Sequence, residues 1–322
     1  MLWPSARFIS TKEKNRIQRS NEEMLYILTL FKKSSAANVL DLPGIFKSMR
    51  DRLHQLPFCE ISPNSGDLMS RFLDGENGLP SIIKSSIVPW DIRLDTEMLY
   101  LRWEHQDLDP NLLRGIEVRQ RADGKKSSGM SRRISGGYKF RRSSSFVGEG
   151  HLRNGQWFPW QLSAVRDGAH GDLEAGISGR RGIGAVSIVL SSSGRTSTYV
   201  DIDEGDLISY CGTRGKNSTI SSGTRLLLES AEKSSPIRVL RSSKLGSINP
   251  YRPVLGLRYD GLYTIYDKEL LEEATMLYRF KLRRISGQTP IRFQGVEARP
   301  TKREVDEWKK VQNLISRARV EK

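Results

Sequence analysis

Cysteine and histidine are scarce in this chain: of 322 residues, two are Cys and four are His. Cys59 and Cys211 stand far apart and neither has a C-x-x-C partner, which excludes a disulfide framework and a thiolate zinc module. So little cysteine suits a reducing compartment. His54, His105, His151 and His170 are scattered, with no second ligand at metal spacing, so each reads as an ordinary polar residue. Long apolar runs are missing too. Met24 to Phe31 is the longest candidate, far short of the roughly 18 residues of a membrane helix, and no membrane insertion is expected. Acid is outnumbered, with 52 Lys and Arg against 37 Asp and Glu, a formal charge of +15. The surface should attract polyanions, nucleic acid first and anionic membrane second, although basic tails alone produce the same balance.

What is present is unevenly distributed. Residues 1–113 read as a small helical region of unknown role. Met24, Leu25, Leu28 and Phe31 recur at helical spacing, as do Ile45, Met49, Leu53 and Leu56, and a third helix is expected over Leu94 to Trp103. Asp41 is placed to cap the second helix, with Pro43 in its first turn. The first twenty residues are rich in Arg, Lys and Ser with Glu13 the one acid, which also fits a mitochondrial transit segment. Residues 114–145 form a basic, Gly/Ser-rich linker: from Arg114 to Arg142 ten Lys or Arg face two acids. It would either neutralise phosphates or act as a solvated spacer. The sequences Arg132-Arg133-Ile134-Ser135 and Arg141-Arg142-Ser143-Ser144 also invite basophilic kinases, whose phosphates would cancel that charge.

From about Val147 the pattern becomes short β-like runs divided by Gly-rich turns. They fall at Ala185 to Leu190, Thr198 to Ile202, Leu207 to Tyr210, Ile237 to Leu240, Leu262 to Ile265 and Tyr278 to Leu282. So many closely spaced strands imply a barrel or sandwich rather than a parallel sheet. Helix returns from Lys302 to Val320, within a C-terminal segment 297–322. Inside the β region lies a dense polar cluster, Asp201, Asp203, Glu204 and Asp206 around Gly205, followed by Tyr210, Cys211 and Gly212. An EF-hand counted from Asp201 would need Gly at position six and Glu at twelve, but finds Asp206 and Gly212. A metal site is not expected. Two carboxylates facing one substrate bond would suit a hydrolase, but acids on a turn beside a strand are usually solvated.

The ordered series from here carries a resemblance. It runs Gly168-Ala169-His170, Glu174-Ala175-Gly176-Ile177, and Gly184-Ala185 through Leu190. Then come Asp201-x-Asp203-x-Gly205-Asp206, Tyr210-x-Gly212, Pro236-Ile237-Arg238-Val239, Asn249-Pro250-Tyr251-Arg252-Pro253 and Arg258-Tyr259-Asp260-Gly261. Residues 146–296 thus resemble the SRA family, also called YDG after the last of these motifs. The resemblance implies an α+β fold, an SRA-like (PUA-like) twisted β-barrel with flanking helices, preceded here by the helical region. It implies non-catalytic binding of DNA containing 5-methylcytosine, with the base flipped into a pocket.

By that resemblance Asp201 accepts the cytosine N4 amino group, Tyr210 is one aromatic wall, and Cys211 encloses the C5 methyl. On its own Tyr210 reads as an ordinary core aromatic. The family's second tyrosine position is Thr198 here, with Tyr199 one residue on, so Tyr199 is the expected second wall. Glu174 falls at the position from which relatives insert a wedge into the vacated stack. Lys216 to Gly223 is shorter than the finger that reads the opposite strand in some relatives. Arg180, Arg181, Arg214, Lys216 and Arg225 are the expected phosphate contacts. Arg258 and Asp260 read as a buried structural pair, and His170 as a hydrogen-bonded turn residue.

No cofactor is expected, and SET, RING, PHD or HNH machinery would need more Cys and His than the chain has. The expectation is a nuclear reader of methylated double-stranded DNA, with histone or chromatin proteins as possible partners. The alternatives are an interaction scaffold with a degenerate pocket, or a nuclease acting on modified DNA.

Overall fold

The computed structural model describes residues 11–62, 67–120, 130–191 and 201–320, and the chain divides into two units, Met1–Asn111 and Leu112–Lys322. The first unit holds α1 (Thr11–Ala36), α2 (Leu42–Gln55), α3 (Leu68–Leu73), α4 (Leu79–Lys84) and α5 (Trp90–Glu104). Its core joins Ile27, Met49, Phe72, Ile82, Leu99 and Trp103, one or more from each helix. Phe72 and Trp103 stack tilted at 4.9 Å. Arg50 binds Asp91 through two bonds of 2.6 and 3.1 Å, which together with His54 Nε2 and Asp95 at 3.3 Å stitches α2 to α5. Asp41 does not cap α2 with its side chain; it sits at φ −87°, ψ −20°. A capping side chain needs an extended backbone to reach N2 or N3, and a helical one turns it away.

The second unit opens with an antiparallel ladder between β1 (Ile116–Gln120) and β2 (Met130–Ile134), Ile116 facing Ile134 and Val118 facing Arg132. The stretch expected as a basic linker carries two strands. Polar docking accounts for the difference: Arg132 lies over the Trp160 ring at 4.2 Å and Arg114 pairs with Asp167 at 3.0 Å. The Arg142 amide also donates to the Arg166 carbonyl.

Then follow β3 (Trp157–Phe158), α6 (Gln161–Arg166), β4 (Ile177–Arg180), β5 (Gly184–Leu190), β6 (Ile202–Asp203), β7 (Leu207–Cys211) and α7 (Ser222–Lys233). The last elements are β8 (Ile237–Ser242), β9 (Leu257–Glu272), β10 (Leu277–Arg284) and α8 (Lys302–Val320). The main sheet runs β4-β5-β8-β9-β10-β7-β6, with β3 paired to β9. The class is α+β as expected, with helices flanking a mixed sheet. Closure is not seen: among the described residues no ladder joins β4 to β6, so the path is open.

Both faces of the sheet are covered. Ile188, Val239, Tyr263, Phe280 and Leu282 pack with Leu227 of α7 on one side. On the other, Val189, Leu240 and Tyr259 meet Leu152, Phe158 and Ala164. That is why β5 reads Gly-Ala-Val-Ser-Ile-Val-Leu without alternation: every residue is buried. Among the described residues no helix is long and apolar enough to cross a membrane.

Candidate nucleic-acid interface

The candidate site grows from the β6–β7 hairpin, in which Ile202 pairs with Ser209 and Asp203 with Ile208. Gly205 makes its turn at φ +82°, and a Cβ there would lie 2.5 Å from the Tyr251 ring, so only glycine fits. Asp201 precedes β6, and its Oδ1 accepts the Cys211 amide N–H at 2.8 Å, closing the open end of the hairpin. Burial pushes the Asp201 carboxyl up to about 6, against the pull of the Cys211 amide and Arg279, with Asp203 adding to the rise. A carboxylate can accept about four hydrogen bonds. This one takes the Cys211 amide, and the Cys211 thiol bonds it as well, so acceptor capacity remains for a further donor.

Tyr210 lies 6% exposed in the core with Ile177, Ile188 and Phe280. Its hydroxyl donates to the Gly176 carbonyl at 3.4 Å. A Cβ at Gly176 would sit 3.0 Å from that hydroxyl, so the loop before β4 rests directly on Tyr210. Burial, then the charges of Asp201 and Cys211, raises the phenol and keeps it protonated. Cys211 is half-buried opposite Arg279 of β10, and burial with the Asp201 charge raises its thiol. The structure thus brings Asp201, Tyr210 and Cys211 together. Thr198 and Tyr199 lie outside the described residues.

A buried ion network holds the hairpin to the sheet. Asp203 accepts from Arg241 at 2.6 and 2.8 Å, from Asn249 Nδ2 at 3.0 Å and from the Gly205 amide at 3.1 Å. Burial alone would raise its carboxyl, but these donors hold it below the usual range. Arg241 also donates to Asp260 at 3.0 Å and to the Gly205 carbonyl at 2.7 Å. Asp260 in turn receives Arg258 at 2.5 and 2.9 Å. Two aspartates and two arginines therefore balance, and the Tyr-Asp-Gly motif is their hub. The Arg258–Asp260 pair was legible in the sequence; Asp203, Arg241 and Asn249 were not assigned this role. The available signal was a pair of arginines in an otherwise apolar strand, which must find partners when buried.

The loop from Gly171 to Ala175 is fastened at both ends. Gln161 Nε2 donates to the carbonyls of Asp172 at 3.0 Å and Ala175 at 2.9 Å, and His170 Nε2 bonds the Ala175 carbonyl at 2.9 Å. His170 is fully buried with its other nitrogen on Ser187 Oγ at 2.8 Å, and burial lowers it to about 4, so it is neutral. Asp172 Oδ1 accepts the amides of Glu174 at 2.8 Å and Ala175 at 2.6 Å. Glu174 itself is exposed.

Of the five basic candidates, Arg214 is paired with Glu272 at 2.9 Å, while Arg180, Arg181, Lys216 and Arg225 are exposed. The turn carrying Arg181 binds α7, since the Gly182 amide donates to Glu229 at 2.9 Å and Lys233 donates to the Gly182 carbonyl. These cations therefore lie on or beside α7, a helix that the sequence reading did not assign. Among the described residues no group of three or more His, Cys, Asp or Glu side chains could hold a metal ion.

An α+β domain of mixed sheet, with a carboxylate-bearing hairpin bolted to it by buried ion pairs, defines the class. Residues 147–288 match the model of the SAD/SRA domain, and the chain carries a domain of that family. Over 161 residues the chain is 32% identical to a UHRF1-like protein of Cryptococcus neoformans var. grubii, covering 42% of this chain and 45% of that one. Over 156 residues it is 27% identical to the Arabidopsis thaliana histone-lysine N-methyltransferase, H3 lysine-9 specific SUVH5, covering 44% of this chain and 20% of the relative. It thus spans less than half the length of these curated relatives. A crystal structure of the SUVH5 SRA domain with methylated CHH DNA is 28% identical, with a TM-score of 0.37, covering 46% of this chain and 99% of that one.

Proposed function

We propose that this protein is a non-catalytic reader of double-stranded DNA containing 5-methylcytosine, working on chromatin in the nucleus, and that the base is held out of the duplex beside Asp201, Tyr210 and Cys211. The observation that carries the reading is the Asp201 carboxylate, desolvated and fixed by the Cys211 amide with acceptor capacity to spare. An extruded cytosine presents its N4 amino group as a donor, which a fixed acceptor of this kind selects. Tyr210, almost wholly covered in this structure, would stack on the base once one ring face is uncovered, and base–aromatic stacking contributes about 1–3 kcal/mol. The half-buried Cys211 supplies a small soft neighbour for a methyl group. Family membership of residues 147–288 and the charge of +15 support the same reading. Arg180, Arg181, Lys216 and Arg225 would supply sequence-independent phosphate contacts, with Arg214 once freed from Glu272.

The test is a set of matched duplexes, unmodified, hemimethylated, fully methylated and hydroxymethylated, titrated with wild type and Asp201→Ala. Preference for a modified duplex that disappears in the variant supports the reading. Equal binding of methylated and unmodified duplexes by wild type overturns it.

A further inference from the structure

We infer that Ser135 is a phosphorylation site for a basophilic serine/threonine kinase, and that its phosphate lowers the chain's affinity for DNA of any sequence. Three Arg-Arg-x-Ser sequences occur in the chain, ending at Ser135, Ser144 and Ser286. Such a kinase must hold both arginines with acidic side chains while the hydroxyl reaches its bound nucleotide. That requires a segment able to leave its own fold, and only one of the three can do so.

Ser286 is exposed, but the two arginines before it belong to β10, which pairs with β9 on one side and β7 on the other. Arg284 is buried and donates to the carbonyls of Asp260 at 3.1 Å and Thr289 at 2.7 Å. Drawing it out would dismantle the Tyr-Asp-Gly turn. Ser144 fails differently. A Cβ at Gly171 would lie 2.8 Å from its hydroxyl, so the side chain is turned against the neighbouring loop. Buried Arg238 donates to the carbonyls of Ser144 and Phe146, each at 2.7 Å, and of Gly148 at 3.0 Å. Lifting this stretch would strip a buried cation of its acceptors, which is costly.

Ser135 lacks these restraints. Arg132 and Arg133 are both exposed on β2, whose described pairing is with β1 alone. Arg132 stacks on Trp160, and Arg133 meets Glu117 at 2.9 Å; exposed contacts of these kinds are weak and readily exchanged. Among the described residues no hydrogen bond holds the Ser135 hydroxyl. Its carbonyl accepts the Tyr138 amide at 3.1 Å, which closes a turn over Gly136 and Gly137. A Cβ on either glycine would meet nothing within 4 Å, so open space follows the hydroxyl directly.

In the transfer, Ser135 Oγ bonds to the γ-phosphorus of ATP and the bridging β–γ P–O bond breaks. ADP leaves with the electron pair, and the kinase's base takes the hydroxyl proton. The product adds a charge of about −1.5 to −2. Residues two apart along a strand share a face, so the phosphate stands beside Arg133 and draws it from Glu117. Arg132, Lys139 and Arg141 are exposed nearby in the chain, and the phosphate cancels part of this cationic flank.

The full chain is incubated with magnesium ATP and a kinase of this specificity, beside peptides spanning the three motifs, and phosphate is located by peptide mass mapping. The peptides are expected to be substrates. The folded chain should take phosphate at Ser135, lose it in Ser135→Ala, and keep it in Ser144→Ala and Ser286→Ala. A comparable rate at Ser144 or Ser286 of the folded chain, or no phosphate at Ser135, overturns the assignment. The phosphorylated chain should bind methylated and unmodified duplexes alike about three- to tenfold more weakly at about 0.1 M salt, the loss of up to one phosphate contact. Unchanged affinity, or a loss confined to methylated duplex, overturns the effect on DNA. Neither readout depends on the pocket reading, since a chain indifferent to methylation would still show both.

Discussion

Arg241 grips Asp203 with two hydrogen bonds of 2.6 and 2.8 Å while both side chains are almost wholly buried, at 0% and 2% exposure. This pair joins the candidate hairpin to the third strand of the sheet path. Asp203 stands two residues along the chain from the amide-fixed carboxylate of Asp201, so whatever anchors Asp203 also positions Asp201. Burial works against a raised Arg241 and a lowered Asp203, yet the partners outweigh it on both sides.

Breaking this pair from one side leaves a charge uncompensated in the interior, which costs about 3–5 kcal/mol. Arg241→Met is expected to lower unfolding stability by that amount in urea titrations. Because the Asp203 carboxyl is held below its usual range, its stabilisation is present above the unfolded value of 3.8 and is lost as pH falls through the folded value. Asp203→Asn should flatten that acid limb.

Asp201 carries the opposite sign. Its folded value of about 6 exceeds the unfolded 3.8, so the folded state prefers the protonated form, and stability is lost as pH rises from about 3.8 through 6. Asp201→Asn keeps an oxygen for the Cys211 amide and sheds the buried charge. The variant is expected to be more stable than wild type at pH 7.5 by about 1–3 kcal/mol, measured by chemical unfolding, and to lose its preference for methylated duplex. In wild type that preference should itself weaken as pH drops below about 6, where the acceptor gains a proton.

His170 gives a second pH signature. Its folded value of about 4 lies below the ordinary 6.5, so its contribution is intact above 6.5 and is lost as pH falls toward 4. The acid loss from this residue should reach up to about 3 kcal/mol. Comparing urea midpoints of wild type and His170→Gln at pH 7 and 4.5 isolates it from the opposing slope of Asp201. A variant as acid-sensitive as wild type would remove the assignment.

The cations near α7 predict a salt effect. Each phosphate contact releases counterions, so removing one should reduce the slope of log affinity against log salt by about 0.9. Arg180→Ala, Arg181→Ala, Lys216→Ala and Arg225→Ala are expected to weaken methylated and unmodified duplexes alike. Arg214→Ala should have a smaller effect, because the wild-type side chain must first leave Glu272. A cation whose removal leaves the slope untouched does not face the backbone.

The motifs were legible because they are polar residues at fixed offsets, and the ordered run from His170 to Gly261 located both hairpin and hub. Periodicity recovered α1, α2 and α5 and most strands of the sheet. It failed at α7, and the reason is local: the buried positions of that helix are Thr224, Leu227 and Ser230, two of three polar. Spacing of three was there, hydrophobicity was not. Ser221, whose side chain accepts the Thr224 amide at 3.2 Å, was the available start signal. The β1–β2 ladder failed for a related reason, since stacking of Arg132 on Trp160 and ion pairing leave no apolar rhythm to read. Partners of Asp203 were invisible because Arg241 and Asn249 lie 38 and 46 residues away along the chain.

One topological detail bears on how such a domain changes over time. β5 and β8 lie side by side and run the same way, Ile188 against Val239. Parallel neighbours cannot be joined by a tight turn. Everything between Leu190 and Ile237, the Asp201 hairpin, the Lys216 loop and α7 alike, is the crossover that this geometry demands. A change of length there need not disturb the pairing of β5 with β8, so the segment carrying the proposed site can vary while these two strands stay put.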